Sequence, residues 1–239
     1  MDIGTGPSHR VFSLPETEYS LLLYRYLARR HTLRKITNKP RRVIVSLFNE
    51  FSTQGFFQDS LNTMKQTDQW KAYVLYVLCR ITEPDVIIET GIAAGHSSLG
   101  ILSALKRNGK GHLHSIDLPG FEYRTDDGNV WKDMSSADGP GWLVPSNLRD
   151  RWTIHIGPSR KVLPIILEDI ESIDVFYHDS EHTKENMQFE MEGAWTKLKT
   201  GGYLLADNIN WNSAFADFCR DKNNEGKVLF PYLGIIRKR

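Results

Sequence analysis

The sequence predicts an α/β fold: a doubly wound, mostly parallel sheet behind an N-terminal helical extension. Three observations predict it. After Pro84, short apolar runs alternate with segments of helical period. The runs lead into polar residues, at Glu89, Asp117, Ser159, Asp179 and the pair Asp207-Asn208. The first run also opens into a glycine-bearing turn, Gly91-Ile92-Ala93-Ala94-Gly95, before an amphipathic helix that begins near Ser97. A buried strand entering such a turn aims the N-terminus of the next helix at a ligand.

The totals fit one α/β domain with an extension, or two small domains, at 239 residues. An apolar fraction of 40% and a charged fraction of 25% are ordinary for a globular chain. A net charge of +1 gives no reason to expect a nucleic-acid partner. Cys79 and Cys219 fall in apolar helical patterns and read as reduced core thiols. Leu21 to Leu23 and Val43 to Leu47 are too short to span a bilayer, and no signal-peptide pattern is evident. The expectation is a cytoplasmic protein.

Residues 1–83 read as the extension and 84–239 as the sheet domain. Residues 1–15 lack periodicity and suggest a loose arm. Tyr19, Leu22, Leu23, Tyr26 and Leu27 recur at helical spacing. From Arg25 to Arg42 there are eight Lys or Arg and no acid, read as a solvated face, with an anionic substrate or membrane contact as the sharper alternative. Val43 to Phe51 suggests a helix. Trp70, Tyr73, Val74, Val77, Leu78 and Ile81 make a strong one that stops before Pro84. The segment could cap a site, form a dimer interface, or both.

Strands are then expected at 85–89, 112–116, 152–156, 173–177 and 203–206, with helices at 97–106, 161–168, around Met187 to Leu198, and a last long one from Trp211 to Phe218. Gly201-Gly202 reads as the turn into the fifth strand. Residues 228–230 and 233–237 suggest a closing hairpin. Phe121 to Val144 breaks the rhythm: it has no period, and aromatics at Phe121, Tyr123, Trp131 and Trp142 argue against plain disorder.

Ligands of open α/β sheets bind at the carboxyl ends of the strands. Gly91 and Gly95 allow a sharp turn and close approach, with Ala93 and Ala94 where small residues suffice; the spacing is not G-x-G-x-x-G. Glu89 before this turn points to a nucleoside-bearing ligand. Asp117 can accept ribose hydroxyls, or merely form the turn before Pro119-Gly120; the first reading is taken. Ser97 would supply a donor near the helix start. Ser159 could touch a nucleobase or cap a helix. Asp179, Asp207 and Asn208 offer two carboxylates and an amide oxygen, which suits a hard divalent cation such as Mg²⁺.

Taken together, Glu89 to Gly95, Asp117, and Gly201-Gly202-Tyr203-Leu204-Leu205-Ala206-Asp207-Asn208 resemble class I S-adenosylmethionine-dependent methyltransferases over about residues 84–239. Within them the chain is similar to metal-dependent O-methyltransferases of the catechol type, and to related enzymes of small molecules or sugars. The resemblance implies a seven-stranded sheet whose last strand is antiparallel. It implies S-adenosylmethionine as cofactor, and Asp179, Asp207 and Asn208 as metal ligands. Those relatives carry a lysine as general base three residues after the first metal aspartate; here that position is His182, in His178-Asp179-Ser180-Glu181-His182. An imidazole can remove a proton near neutral pH. The departure puts a catechol acceptor in doubt and makes an aliphatic or sugar hydroxyl at least as suitable. The expected reaction is methyl transfer to a hydroxyl of a small molecule or sugar, with His182 as base and Asp179 beside it, in a possible homodimer. Rival readings are a metal-independent methyltransferase using His182 or His178, a nicotinamide-dependent oxidoreductase, and a non-catalytic binding protein.

Overall fold

The computed structural model describes residues 32–53, 66–119, 122–124, 130–132, 139–229 and 232–239. The expected arm at 1–15, the helix from Tyr19 to Leu27, Phe121 and Phe230 lie outside them.

Among the described residues three helices precede the sheet: α1 (Thr32–Thr37), α2 (Arg41–Ser52) and α3 (Gln66–Thr82). The alternation follows as β1 (Val86–Thr90), α4 (His96–Asn108), β2 (His112–Asp117), then β3 (Glu122–Arg124) and β4 (Val130–Lys132). After a 3-10 turn at Ser146–Arg151 come β5 (Trp152–Ile156), α5 (Ser159–Asp169), β6 (Ile173–His178), α6 (Lys184–Lys197) and β7 (Leu198–Ala206). The chain ends in α7 (Ala214–Asp221), β8 (Lys227–Leu229) and β9 (Leu233–Arg237).

Seven strands form one sheet in the order β5-β2-β1-β6-β7-β9-β8. β1, β2, β5, β6 and β7 pair in parallel, and β9 runs antiparallel to both β7 and β8. The doubly wound sheet with an antiparallel last strand is therefore present. Its strands read as unbroken apolar runs because both faces are covered. On one face, residues of α1, α2, α3 and α4 share a hydrophobic cluster with Ile87, Leu113, Val175, Tyr177 and Leu205. On the other, α5, α6 and α7 close over Ile88, Ile116, Phe176, Leu204 and Ile236. The described part of the extension thus shares one core with the sheet. Cys79 and Cys219 are free and buried. No helix among the described residues is long and apolar enough to cross a membrane.

Four expectations need correcting. Gly201-Gly202 is not a turn into β7 but lies within it, at an irregularity where the pairing passes from Ile173–Leu198 to Val175–Tyr203. Gly201 takes φ +87° there, and the pair bonds with Lys238. The last helix is short, and Trp211 lies outside it, 52% exposed. Helix α5 begins two residues earlier than expected, so its N-cap is Pro158 and Ser159 is its first residue. The stretch 121–144 is not without structure: β3 and β4 pair as a small antiparallel ribbon.

The order places the topological switch between β2-β1 and β1-β6, since the chain leaves β1 for one neighbour and returns on the other side. The crevice for a ligand opens there, above the carboxyl ends of β1 and β6.

Candidate active site

The site has two halves that meet over β1. In the first, β1 carries the chain to Thr90 and the turn reverses it into α4. Gly91 and Gly95 take φ of +83° and +95°, and Ala93 takes +47°. A side chain at Gly91 would put its Cβ 2.1 Å from the carbonyl oxygen of Asp179, while the Asp179 amide donates to Thr90 O at 2.8 Å. The glycine is needed because the turn lies directly on the end of β6. A Cβ at Gly95 would meet Gly141 and Val144, whose segment bonds the turn from outside through Gly141 N to Ala93 O and Leu143 N to Ala94 O.

Asp117 holds this turn. Its Oδ2 accepts the amides of Ile92 at 2.9 Å and Ala93 at 2.8 Å, and its Oδ1 accepts Leu118 N. The turn-forming role that the sequence left as the lesser reading is therefore present; its carboxylate stays partly exposed. Glu89 is fully buried at the end of β1. Its Oε2 accepts from Ser98 Oγ at 2.6 Å and Ser115 Oγ at 2.7 Å, and its Oε1 is buried without a hydrogen-bond partner. Burial pushes its carboxyl up, against the hydroxyls of Ser97, Ser98 and Ser115, which pull it down. Ser97 is buried in the first turn of α4.

The second half lies at the ends of β6 and β7. Asp179, His182 and Asp207 offer ligand atoms all within 4.8 Å of one another. Lys71 of α3 enters this cluster, with its Nζ 3.1 Å from Asp179 Oδ2 and 2.8 Å from Asp207 Oδ2. Tyr177 OH donates to the same Asp179 oxygen at 2.8 Å. Burial pushes Asp179 well above the usual carboxylate range; Lys71 opposes this and the Asp207 carboxylate adds to it. Asp179 and Asp207 bring carboxyl oxygens and His182 a ring nitrogen to one place, a donor set that fits a divalent cation.

His182 is buried beside the aspartates, with Nε2 3.7 Å from Asp179 Oδ1 and 3.0 Å from Asn208 Nδ2. Its ring meets Trp211 edge-on at 5.0 Å. Burial pushes its pKa down to about 3, with His178 acting the same way and Asp207 opposing. Asn208 takes φ +49°, which an asparagine tolerates better than most residues. Behind His182, its Nδ1 lies 3.2 Å from His178 Nε2, and His178 Nδ1 lies 2.6 Å from Glu190 Oε2. Glu190 is fully buried on α6. Burial alone would raise its carboxyl; His178 and the hydroxyls of Ser159 and Ser180 hold it at about 2. Ser159, expected near a nucleobase, thus faces Glu190.

Of the residues named from the sequence, Glu89, Gly91, Ala93, Gly95, Ser97 and Asp117 lie at the turn after β1, Asp179, His182, Asp207 and Asn208 lie at the ends of β6 and β7, and Ser159 faces Glu190. Sequence reasoning missed Lys71, Glu190, Ser98 and Ser115 as partners, and Trp211 as a wall. Only a helix-face argument could have flagged Glu190, an acid three positions from Met187 on an otherwise apolar stripe.

No curated protein is significantly similar to this chain in sequence. Among solved structures, CalS11, a calicheamicin methyltransferase, is 17% identical with a TM-score of 0.54 and 99% of each chain covered. A Klebsiella pneumoniae protein provisionally described as an O-methyltransferase is 14% identical, with a TM-score of 0.54 over 93% of this chain and 96% of its own. The Podospora anserina methyltransferase PaMTH1, solved with S-adenosylhomocysteine, is 14% identical, with a TM-score of 0.52 over 99% and 100%. At such identities the likeness shows the fold. Residues 88–209, just over half the chain, match the family described as "Methyltransferase domain", and they run from β1 through the Asp207-Asn208 end of β7. The chain belongs to that methyltransferase family.

Proposed function

We propose that this protein transfers a methyl group from S-adenosylmethionine to a hydroxyl of a small molecule or sugar, with His182 as general base. The observation that carries the proposal is the junction of the two halves: Gly91 of the turn lies against the backbone of Asp179, three residues before His182. A cofactor on the turn and an acceptor at the aspartates would then share one crevice. The family match supports methyl transfer, and the S-adenosylhomocysteine on PaMTH1 supports the donor. The provisional name of the Klebsiella protein favours oxygen as the acceptor atom.

When bound, S-adenosylmethionine supplies an electrophilic methyl group. The buried, unpartnered Glu89 Oε1 fits such a ligand, since it is an acceptor awaiting a donor. Glu89, Gly91, Ala93, Gly95, Ser97 and Asp117 would line its site, with Asp117 acting through the turn amides as much as on the ribose. Asp179, Asp207 and Asn208 would hold a divalent cation, which supplies Lewis acidity that lowers the pKa of a bound hydroxyl. His182 has an unprotonated ring at working pH and takes the hydroxyl proton at Nε2. Asp207 and Glu190 favour the imidazolium that results. Trp211 and the segment from Gly139 to Val144 help exclude water.

A second reading rests on Lys71. Its ammonium already bridges both carboxylates and could itself serve as the cation. Calorimetric titration with S-adenosylmethionine and with NAD tests the proposal: saturable binding of the first alone is expected, and binding of neither sinks it. Assays of acceptor hydroxyls after exhaustive chelation then separate the two readings.

A further inference from the structure

The hydrogen bonds behind His182 have a direction. Glu190 is an acceptor only, so His178 Nδ1 must donate to it. At the other end, Asn208 Nδ2 faces His182 Nε2, so that nitrogen accepts. His182 must then carry its proton on Nδ1 and donate to His178 Nε2, the one nitrogen left to accept. Every link has one donor and one acceptor only if both imidazoles are neutral and both are Nδ1–H tautomers.

We infer that Glu190, acting through His178, is a positioning residue that fixes the tautomer of His182 and keeps Nε2, the nitrogen beside Asn208 and the aspartates, the unprotonated one. The inference rests on the proposed base role of His182, though its first test does not. All three groups of the relay are buried, so water does not compete for these bonds. Glu190 itself is held rigidly. Its Oε2 also accepts Thr90 Oγ1 at 2.6 Å, and its Oε1 accepts Ser180 Oγ at 2.7 Å and Asn186 Nδ2 at 2.9 Å. Residues of β1, β6 and α6 and of the loop after β6 thereby converge on one carboxylate.

The same contacts say what Glu190→Gln would do. Asn186 Nδ2 also donates to the carbonyl of Glu181, so its donor side is anchored, and the oxygen of the introduced amide must stay where it accepts from Asn186. The new amide nitrogen then falls at the Oε2 position. Thr90 can rotate its hydroxyl to accept, but His178 Nδ1 would have to accept too. His178 becomes Nε2–H, donates to His182 Nδ1, and leaves His182 with its proton on Nε2, to which Asn208 must turn its amide oxygen. An inverted tautomer of this kind removes the base without moving it.

Histidine ¹⁵N and ¹³C NMR of the full-length wild-type chain at neutral pH should show both His178 and His182 as Nδ1–H tautomers. A wild-type His182 protonated on Nε2 overturns the inference, and this measurement needs neither substrate nor methyl transfer. In Glu190→Gln both resonances should switch to Nε2–H. With an acceptor in hand, kcat should fall by on the order of 10²- to 10⁴-fold with KM nearly unchanged. A variant that folds and keeps the Nδ1–H signature would also overturn it. If Glu190→Gln does not fold, the wild-type tautomer still decides. Normal tautomers in a protein that does not bind S-adenosylmethionine would retire the proposed function and leave the relay standing.

Discussion

Lys71 changes how the acidic cluster should be read. Asp179 and Asp207 are legible in the sequence because each ends an apolar strand, where an acid has no structural reason to recur. Lys71 is not legible, because a lysine on a helix is ordinary, and its partners lie 108 and 136 residues away. The same holds for Glu190, which looks like one more helix acid until His178 is placed beside it. Asp117 shows the opposite failure: its position fits a ribose ligand, but two turn amides at under 3 Å already claim its Oδ2. Replacing Lys71 by Met would leave two buried carboxylates uncompensated. The cost should sit at the low end of the roughly 3–5 kcal/mol seen when a buried pair is broken, because the lysine side chain keeps 16% exposure. Thermal unfolding should show the loss in chelator and a recovery when Mn²⁺ is added, because the cation would replace the missing charge. Recovery in the variant, with no response of the wild type, would favour the lysine-only reading. Response in both would favour a metal alongside Lys71.

At the scale of elements, the site depends on how α3 packs on α4. Period and strand-end polarity made most elements legible; the missed ones were set by pairing. Gly201-Gly202 looks like a turn in sequence, yet the ladder to β6 and the bonds to Lys238 draw it into β7. The ribbon of β3 and β4 has three residues a side, too few to show alternation. The α3–α4 contact was equally invisible, since it rests on an absent side chain. A Cβ at Gly100 would lie 2.3 Å from the carbonyl oxygen of Ala72, the residue after Lys71. Gly100 has no positive φ, and alanine is the better helix former, so a Gly→Ala change on a free helix would stabilise by up to about 1 kcal/mol. Here the clash should win. Gly100→Ala is expected to destabilise by about 1–3 kcal/mol, as overpacking does, and to shift α3 and its lysine away from the carboxylates. Denaturant melts give the first effect. Loss of activity beyond what the lost stability explains gives the second. A variant as stable as the parent would show that α3 can slide without strain.

For the whole molecule, the net charge of +1 means that general repulsion is small near neutrality, so the response to acid should come from particular groups. His112, His114 and His155 lie together on β2 and β5, with ring centroids 4.9 Å and 5.5 Å apart along the row. His114 Nδ1 is 3.2 Å from His155 Nε2, and His112 Nε2 is 2.8 Å from Thr153 Oγ1. Burial pushes all three pKa values down, that of His114 to about 4; Arg151 adds to it at His112, His112 and His155 at His114, and His112 at His155. The unfolded chain takes up protons on these rings as pH falls through about 6.5, while the folded chain resists until about 4 at His114. More protons bound in the unfolded state means that stability falls as pH falls across that window. Glu190, held at about 2 when folded, adds to the loss once the pH drops below the ordinary glutamate value near 4.3. Half-exposed imidazoles are screened, so roughly 1 kcal/mol each is a fair scale. Melting temperature should therefore decline from pH 7 to pH 5, offset in part by Asp179 and Glu89, whose carboxyls burial pushes up so that the folded state takes up their protons first. His114→Gln should flatten that decline, because it removes the most depressed imidazole of the row. An unchanged slope in that variant would move the acid sensitivity to His182, whose ring burial also pushes down.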